Sequence, residues 1–410
     1  MNRYKLIIVV FLIVLTSCKE QNPSQNYICY LNEDDTYRLR HVGYENMDAI
    51  NLVIQEKYND KPITVISGQA FLNCAAESIT LPDTVITLCS DSFKGCENLT
   101  TIHLGASLQN IQSFAFRGCA NLEKITIDTQ NPYFYVQNNC LIERGTKKLV
   151  LGGVNCIIPQ DVLSIGDFAF DGRISLKTIT LPDGLQEIGA YAFANTSLTA
   201  IEFPQNLKMI DDHAFENTDI QSIKLPDSLT DLGIGAFLSC LSLKSINVGT
   251  NIKSNLVSAL YACENLDEIV VAEENPVYRV EHGCIILRKN NALLRCTRNA
   301  VLPDNIYFLE TDSLHSSYLN TKKVKIPNSV TMIKELAIRG DFIEIYIPSS
   351  VQIVAEGAIL LNNNAISKPT IYCEAAEKPD GWHEEWLYCQ GEYNVVWGYD
   401  FTQINAPEQQ

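Results

Sequence analysis

Several patterns that mark enzymes and nucleic-acid-binding proteins are missing from this sequence. No cluster of lysine and arginine occurs beyond the N-terminus and the net charge is −17, which excludes nucleic acid as a partner, because affinity for phosphates comes mainly from clustered basic side chains. The six histidines form no His-Glu-x-x-His pair, and Gly-x-Ser-x-Gly, phosphate-loop and Gly-x-Gly-x-x-Gly motifs are absent. The sequence therefore predicts no catalytic residue, no metal site and no cofactor.

Long apolar runs are also missing, and the longest one lies at the N-terminus. Arg3 and Lys5 precede ten apolar residues, Leu6 to Leu15. A run of this length is too short to span a bilayer as a helix and is typical of a signal peptide. The sequence thus predicts a signal peptide over 1–17.

The residues after this run resemble a bacterial lipobox, with Leu15-Thr-Ser followed by Cys18. The alternative is an ordinary small-residue cleavage site that happens to precede a cysteine. The resemblance implies acyl chains on Cys18, and more than one chain is what stable anchoring requires. We expect an exported lipoprotein at the outer membrane or cell surface, with a tether over 18–26 and its lipid anchor as the sole membrane contact.

An apolar residue recurs at a nearly fixed spacing along most of the chain. Most intervals are 21–24 residues, and two intervals of 54 equal one period plus a 31-residue insertion. A short period of this kind indicates a repeat protein, whose units share a continuous core and cannot fold alone. The members of this phenylalanine column are Phe71, Phe93, Phe116, Phe170, Phe193, Phe215, Phe237, Leu260, Leu314, Ile338 and Ile359.

Each repeat has the form Leu-x-x-Ile-x-Leu-Pro-x-x-Leu-x-x-Ile-x-x-x-Ala-Phe-x-x-Cys, as in the segment that begins at Leu176. The first six residues alternate in polarity, which predicts a strand with one buried face. The proline cannot extend a strand ladder, and the Asp-Gly or Asp-Ser after it is typical of turns. The pattern predicts a mainly β solenoid with coils of about 22–23 residues.

This pattern resembles the BspA-type leucine-rich repeats, a family common on bacterial surface proteins. The resemblance runs from about Tyr27 to Tyr399 and weakens around Leu256–Leu260 and Asp312–Leu314, where Ala-Phe is lost. It implies a leucine-rich-repeat solenoid with terminal caps, and a role in adhesion or in contact with host proteins.

The resemblance also assigns the parts of the chain. We expect an N-terminal cap and first strand over 27–66, the solenoid over 67–370 and a C-terminal cap over 371–410. Asn131-Pro and Asn275-Pro each begin a similar insertion with an aromatic strand, a turn and a second strand. They predict two β-hairpins, at about 131–155 and 275–298.

The cysteines decide whether the chain performs chemistry. Three residues after the phenylalanine column stands cysteine or threonine, with one arginine, Arg173. A position that accepts threonine favours a buried free thiol over a redox pair, and no Cys-x-x-Cys or paired histidine supports a metal site.

Other cysteines could form disulfides, because an exported protein meets an oxidising compartment. Cys140 and Cys156 flank the first insertion, and Cys284 and Cys296 flank the second. The pairing that we expect lies in the C-terminal cap and joins Cys373 to Cys389.

The strand positions that face outward are small, polar or charged with both signs, without an aromatic stripe. Two interpretations stay open: a solvated sheet face, or a flat protein-binding surface. The candidate binding residues are Thr101, His103, Lys124, Thr126, Thr178, Thr180, Glu202 and Lys224.

Three functions are compatible with these patterns. The first is a non-catalytic cell-surface binding or adhesion lipoprotein whose solenoid contacts an extracellular or host macromolecule, a protein rather than a glycan. The second is a glycan-binding accessory lipoprotein that uses Tyr133, Tyr135 and Tyr278 of the insertions. The third is a hydrolase within the irregular coils from Thr311 onward, which no motif supports.

Overall fold

The computed structural model of the protein describes residues 27–42, 50–362 and 368–403. The predicted signal peptide, the anchor Cys18 and the tether lie outside the described residues. The chain divides into two compact units: unit one runs to Asp219 and adds Gly233–Phe237, and unit two holds Ile220–Leu232 and everything from Leu238. This division falls inside the segment that the repeat pattern assigns to one solenoid.

Unit one consists of short strands. They are β1 (Tyr27–Leu31), β2 (Tyr37–Val42), β3 (Asn51–Val53), β4 (Lys57–Tyr58), β5 (Lys61–Ile66), β6 (Ser78–Thr80), β7 (Thr87–Leu88), β8 (Thr101–Leu104), β9 (Asn110–Ile111), β10 (Lys124–Ile127), β11 (Phe134–Gln137), β12 (Cys140–Glu143), β13 (Lys148–Gly152), β14 (Ser164–Ile165), β15 (Glu187–Ile188) and β16 (Met209–Ile210).

Three sheets arise in unit one because each coil contributes strands at equivalent points. One sheet has the order β1-β2-β5-β7-β9 with β4 beside β5, a second has the order β10-β8-β6-β3, and a third runs from β11 through β12, β13, β14 and β15 to β16. The pairs between successive coils are parallel, whereas β1–β2 and the strands of the insertion pair antiparallel. This pattern is that of a β-solenoid in which the β1–β2 hairpin pairs with β5 of the first coil.

Unit two repeats this construction and contains one short helix. Its elements are β17 (Ser222–Lys224), β18 (Asp231–Leu232), β19 (Ser245–Val248), α1 (Leu256–Ala259), β20 (Glu268–Val271), β21 (Tyr278–Glu281), β22 (Cys284–Leu287), β23 (Ala292–Cys296), β24 (Phe308–Leu309), β25 (Leu314–His315), β26 (Lys323–Lys325), β27 (Met332–Ile333), β28 (Ile338–Gly340), β29 (Glu344–Ile347), β30 (Ile353–Val354), β31 (Ile359–Leu361), β32 (Thr370–Cys373), β33 (Leu387–Cys389), β34 (Asn394–Trp397) and the 3-10 turn Phe401–Gln403.

The sheets of unit two have the orders β17-β19-β20, β21-β22-β23-β24-β27-β30, β25-β28-β31-β33 and β26-β29-β32-β34. The coils after Thr311 are therefore regular, although their sequence departs from Ala-Phe. Around Leu256–Leu260, where the repeat weakens, the chain forms the single turn of α1 instead of an Ala-Phe turn.

The phenylalanine column forms two stacks of rings in unit one, one before and one after the first insertion. In the first stack, ring centroids lie 4.7 and 5.0 Å apart from Phe71 through Phe93 to Phe116. In the second, the rings of Phe170, Phe193, Phe215 and Phe237 follow one another at 5.0, 5.2 and 5.4 Å. This spacing is close to the distance between paired strands, about 4.8 Å, because each coil contributes one ring at the same point.

Each repeat turns at its proline as predicted. The Pro82 carbonyl accepts a hydrogen bond from the Val85 amide at 3.2 Å, and the same i to i+3 bond joins Pro182 to Leu185 at 3.0 Å. The proline supplies a fixed φ and needs no ladder partner for its nitrogen. The chain therefore leaves the strand at this residue in successive coils.

One buried asparagine begins each insertion and explains the shared Asn-Pro motif. Asn131 donates from Nδ2 to the carbonyls of Gly105 and Leu108, and its Oδ1 accepts from the amides of Tyr133 and Phe134. Asn275 makes the equivalent four bonds in unit two. A buried amide satisfied in this way fixes the direction in which the insertion leaves the coil.

Each insertion contains one more strand than the predicted hairpin. In the first, β12 pairs with β11 and also with β13, and β13 pairs in parallel with β14 of the next coil. The second has the same arrangement around β22, β23 and β24. The third strand returns the chain to the coils.

Thr178, Thr180 and Glu202 are exposed but lie outside any strand, which corrects the prediction that they belong to a sheet. The edge of β10 beside them is already occupied by the insertion. The Asn139 side chain accepts from the Ile125 amide at 2.8 Å and donates to the Glu123 carbonyl, and the Val154 amide bonds the Leu122 carbonyl at 2.9 Å. The next coil cannot extend this sheet because its hydrogen-bonding partners are taken.

Candidate interaction surfaces

The outward face of the β10-β8-β6-β3 sheet carries four of the predicted residues. The parallel register aligns Ser78, Thr101 and Lys124 in one column. A second column aligns Val53, Thr80, His103 and Thr126. The sequence thus correctly placed these residues in adjacent rows on one sheet.

Hydrogen bonds hold part of this face in a fixed arrangement. The Thr126 hydroxyl donates to the Ile102 carbonyl at 3.2 Å and lies 2.9 Å from His103 Nδ1. Because the hydroxyl has a single hydrogen, His103 Nδ1 is the donor in the second bond. The imidazole is therefore oriented by its neighbour on the next strand.

An open groove of about 640 Å³ lies at one end of this face. Val53, whose exposed fraction is 66%, lines it together with His103, Glu56, Lys57 and Asp83. An exposed apolar side chain surrounded by charges of both signs has the composition of a protein interface, with an apolar centre and a polar rim.

In unit two, Lys224 lies on β17 and is exposed, as predicted. The register aligns it with Asn247 and Val270 on β19 and β20. This sheet presents a small polar face of the same kind.

The C-terminal sheet has an aromatic face that the sequence reading missed. Tyr346 on β29 stacks on Tyr372 of β32 at 4.8 Å, and Tyr399 lies 4.6 Å from Tyr372. Phe401 meets Tyr346 edge-on at 5.9 Å. Burial, together with a hydrogen bond to the Glu344 carboxylate, raises the pKa of Tyr346. The outward face is therefore not free of aromatics, and the alternation in Glu344-Ile-Tyr-Ile would have indicated these residues.

A second aromatic stack lies along the turns of unit one. Phe114, Phe168, Tyr191 and His213 have ring centroids 4.1, 4.9 and 4.7 Å apart. All four have positive φ, between 54° and 68°, a conformation that bulky residues rarely adopt. They stand two residues before successive members of the phenylalanine column, so reading that offset in the sequence would have found them.

The tyrosines proposed for glycan contact do not form a platform. Tyr278 is buried, with an exposed fraction of 6%, which contradicts its assignment as a contact residue. The ring of Tyr135 lies 5.1 Å from each of the cationic groups of Arg144 and Lys147. Tyr133 is exposed, and it is the only one of the three with an open ring.

The cysteine and threonine column consists of buried free thiols and hydroxyls, as predicted. The Cys96 thiol donates to the Phe71 carbonyl at 3.0 Å, and the Cys119 thiol donates to the Phe93 carbonyl at 3.2 Å. The Thr196 hydroxyl bonds the Phe193 carbonyl at 2.8 Å. The two cysteines thus donate to the column carbonyl of the preceding coil, whereas the threonine donates to the column carbonyl of its own coil.

The structure does not make Cys373 and Cys389, the predicted disulfide pair, register partners: Cys373 is aligned with Trp397 and Cys389 with Leu361. Both are free thiols, on β32 and β33, which belong to different sheets. Burial raises the pKa of the Cys373 thiol to about 12. The shared location in the C-terminal cap was not enough to bring the two side chains together.

Neither a metal centre nor a membrane helix was found in the described part of the chain. Among residues 27–42, 50–362 and 368–403, no group of three or more His, Cys, Asp and Glu side chains could hold a metal ion. Within the same residues no helix is long and apolar enough to cross a bilayer.

Comparison with known proteins gives matches among solved structures and none among curated sequences. A leucine rich cell surface protein from Faecalibacterium prausnitzii is 17% identical, covering 92% of this chain and 94% of its own, with a TM-score of 0.39. A leucine-rich repeat protein from Bacteroides ovatus is 21% identical over 85% and 93%, with a TM-score of 0.41. The pneumococcal vaccine antigen PcpA is 19% identical over 73% and 96%, with a TM-score of 0.34.

The profile of the BspA type leucine rich repeat region matches residues 64–145 and 154–276 in six copies. These residues include the phenylalanine column of unit one, from Phe71 to Phe237, and strands β11 and β12 of the first insertion. By this match, the chain belongs to the BspA-type leucine-rich repeat family.

Proposed function

We propose that this protein is a bacterial cell-surface binding protein that contacts a partner protein through the outward face of its sheets, without catalysis. The observation that supports this most directly is the face of β3, β6, β8 and β10, where Val53 lies beside Thr80, His103 and Thr126. Leucine-rich-repeat surface proteins generally mediate protein interactions, and this face offers hydrogen-bonding groups beside the exposed apolar side chain of Val53 on its edge strand β3.

The rigidity of the face favours binding. The side chains stand on paired strands, and His103 is already oriented by Thr126. Because this surface is already ordered, it loses little conformational entropy when a partner docks on it. The charges around the groove, from Glu56, Lys57 and Asp83, would then select the partner by complementarity.

The proposal is tested by screening purified residues 27–410 for binding to extracellular-matrix proteins, mucins and glycans. For a captured protein, Val53→Asp should weaken affinity by about tenfold or more, because it places an unpaired charge where the groove now offers an exposed apolar side chain. Ile174→Asp is the matched control, since Ile174 is equally exposed, at 66%, and lies outside the sheet. Equal effects of the two variants would remove this face from the proposal.

A glycan arm separates the second function from the first. If the screen captures a glycan, and Tyr133→Ala together with Tyr135→Ala abolishes capture, the partner class is glycan instead of protein. Tyr133 retains an exposed ring for such a contact, whereas Tyr278 is not available.

We also propose that Cys18 is acylated and anchors the chain at the outer membrane or cell surface. The support is the apolar run that ends in Leu15-Thr-Ser-Cys18. Mass spectrometry of the mature N-terminal peptide should give a diacylated or triacylated cysteine, and Cys18→Ala should release the protein from the membrane fraction. An unmodified cysteine on membrane-bound protein would contradict the anchor, and protease treatment of intact cells tests the outward orientation.

A further inference from the structure

The second insertion places two cysteine side chains against each other. Cys284 on β22 and Cys296 on β23 are register partners in an antiparallel pair. Their sulfur atoms lie 3.3 Å apart, and both residues are buried. Directly opposed residues in such a pair have Cα atoms about 4.5 or 5.5 Å apart, and both values fall within the range of about 4.4–6.8 Å that a disulfide spans.

We propose that Cys284 and Cys296 form a disulfide when the chain folds under oxidising conditions, such as those outside the cytoplasm. The cellular setting rests on the proposed export, whereas the pairing itself rests on the geometry. The reaction is thiol–disulfide exchange with a disulfide of a small thiol or of an oxidoreductase. One thiolate attacks that disulfide and releases its first thiol, and the second cysteine then displaces the remaining thiol. Two protons leave the cysteines, and the two electrons reduce the oxidant to two thiols.

The buried cysteines Cys96 and Cys119 of the cysteine and threonine column have a different role. Cys96 and Cys119 donate their thiol hydrogens to backbone carbonyls, and threonine takes the same place in other coils. The Cys284–Cys296 pair has no such substitute in the chain. At the equivalent position of the first insertion, Cys140 is opposed by Gly152, so a cross-strand bridge cannot form there.

Burial decides when the bridge forms. The neighbouring Cys284 thiol and burial raise the pKa of the Cys296 thiol, so little thiolate exists in the folded reduced protein. With both side chains also covered, an external disulfide cannot reach them. We therefore expect the bridge to form during folding, before β22 and β23 pack, and only slowly when oxidant is added to folded reduced protein.

The bridge would fix a strand that the next coils depend on. Arg295 precedes Cys296 on β23, and its guanidinium donates to the carbonyls of Leu260 and Cys263 at 2.7 and 2.9 Å. Its cationic carbon also lies 4.0 Å from the centroid of the Tyr318 ring. A covalent link between β22 and β23 would hold this arginine in place between the coil before the insertion and the coil after it.

The test uses purified residues 27–410, unfolded with reductant and refolded in oxidised and reduced glutathione. Free thiols are then alkylated in denaturant and the protein is digested without reductant. We expect a linked Cys284–Cys296 peptide, lighter than the two free peptides by two hydrogen atoms, and complete loss of alkylation at both cysteines. Cys119 is the internal control and should be fully alkylated in the same sample.

Two variants separate pairing from misfolding. Cys284→Ser should restore full alkylation of Cys296, and Cys296→Ser should do the same for Cys284. Full alkylation of both cysteines in the refolded wild type, or a link from either one to another cysteine, would overturn the proposal. A bridge that forms on refolding but is missing from protein isolated from its native cells would count against export and not against the pairing.

Discussion

The first insertion, β11–β13, and the second, β21–β23, follow the same three-strand path. They differ in the residue that ends the third strand and in the column residue of the next coil. Gly152 ends β13 where Cys296 ends β23. A Cβ atom at Gly152 would overlap the ring of Phe170, whereas the column residue after the second insertion is the smaller Leu314. The chain therefore combines glycine with phenylalanine at the first insertion and cysteine with leucine at the equivalent positions of the second.

At each junction, where an insertion meets the following coil, one arginine is buried. The coil supplies this arginine at the first junction and the insertion supplies it at the second. After the first insertion, Arg173 of the next coil donates to the Gly152 and Asp171 carbonyls at 3.2 and 2.9 Å. At the second, Arg295 comes from the insertion itself. Both are almost fully buried.

The role of Arg295 becomes clear from the regular coils. In the regular coils, the carbonyl of a phenylalanine-column residue accepts a thiol hydrogen from the next coil: Phe71 accepts from Cys96, and Phe93 accepts from Cys119. Leu260 belongs to the same column, so its carbonyl is the equivalent acceptor. The second insertion displaces the following coil, and Arg295 supplies the donor in its place. At the second insertion a long side chain thus supplies the donor that a cysteine supplies in the regular coils, whereas at the first insertion Arg173 bonds the Gly152 and Asp171 carbonyls instead.

The largest expected effect comes from exchanging the first pair for the second. Gly152→Cys should destabilise unit one by about 3 kcal/mol, because the new side chain overlaps the Phe170 ring in a packed core. Phe170→Leu alone should cost about 1–2 kcal/mol through the volume lost. The double variant should be more stable than Gly152→Cys, because the leucine makes room for the thiol. Hydrogen exchange of peptides over residues 148–172 measures these free energies, and simple additivity in the double variant would contradict the complementarity.

The next effect concerns the arginine that replaces a thiol donor. Arg295→Met should lower the free energy of unfolding of unit two by about 2–3 kcal/mol, because buried carbonyls of Leu260 and Cys263 lose a donor, each at a cost of about 1 kcal/mol or more. Arg295→Lys retains one donor, so its free energy of unfolding should lie between those of the wild type and of Arg295→Met. All three tryptophans lie in unit two, so tryptophan fluorescence in urea follows this unit. A methionine variant as stable as the wild type would show that the guanidinium is not needed.

A smaller effect is expected at the same kind of carbonyl within a regular coil. Cys96→Thr should change the free energy of unfolding by less than about 1 kcal/mol, because threonine occupies this column position in other coils and there donates to the column carbonyl of its own coil. Cys96→Val has a similar size and no donor, so it should be less stable than the threonine variant by about 0.5–1.5 kcal/mol. Urea unfolding followed by circular dichroism compares them. Equal stabilities would mean that the column selects size alone.

What could be predicted from the sequence depends on how often a feature is repeated. The phenylalanine column and the cysteine and threonine column recur in successive coils, so each position is supported by many others. The outward position of Thr101, His103, Lys124 and Thr126 followed from the same alignment. Such features are set by local alternation and by the equivalence of the coils.

Features that occur once or twice could not be predicted in this way. The burial of Tyr278 follows from the direction in which Asn275 starts the insertion, and the missing strand at Thr178 follows from a side chain of Asn139. The burial of Arg295 depends on a carbonyl 35 residues earlier. Each of these depends on a few tertiary contacts that leave no periodic signal in the sequence.

The smallest expected effect is a pH dependence of stability that has opposite signs at the two junctions. Asp171 follows Phe170 and His315 follows Leu314, so the two residues occupy equivalent positions. Burial raises the pKa of Asp171 despite the Asn195 hydrogen bond, Arg117 and Arg173, and Glu216 adds to the rise. Burial lowers the pKa of His315, aided by Arg339 and Arg295 and opposed by Asp312 and Glu264.

These opposite shifts predict opposite changes in stability. Asp171 binds its proton more tightly in the folded state, so its contribution is present at acid pH and is lost as the pH rises from about 4. His315 binds its proton less tightly when folded, so stability is lost as the pH falls below about 6.5. The stability of the wild type relative to Asp171→Asn should therefore fall with rising pH, and that relative to His315→Gln should fall with decreasing pH. Hydrogen exchange of each junction between pH 4 and pH 8, corrected for the intrinsic exchange rate, measures both differences. Slopes of the same sign would mean that the charges around one of the two groups, and not its burial, control its titration.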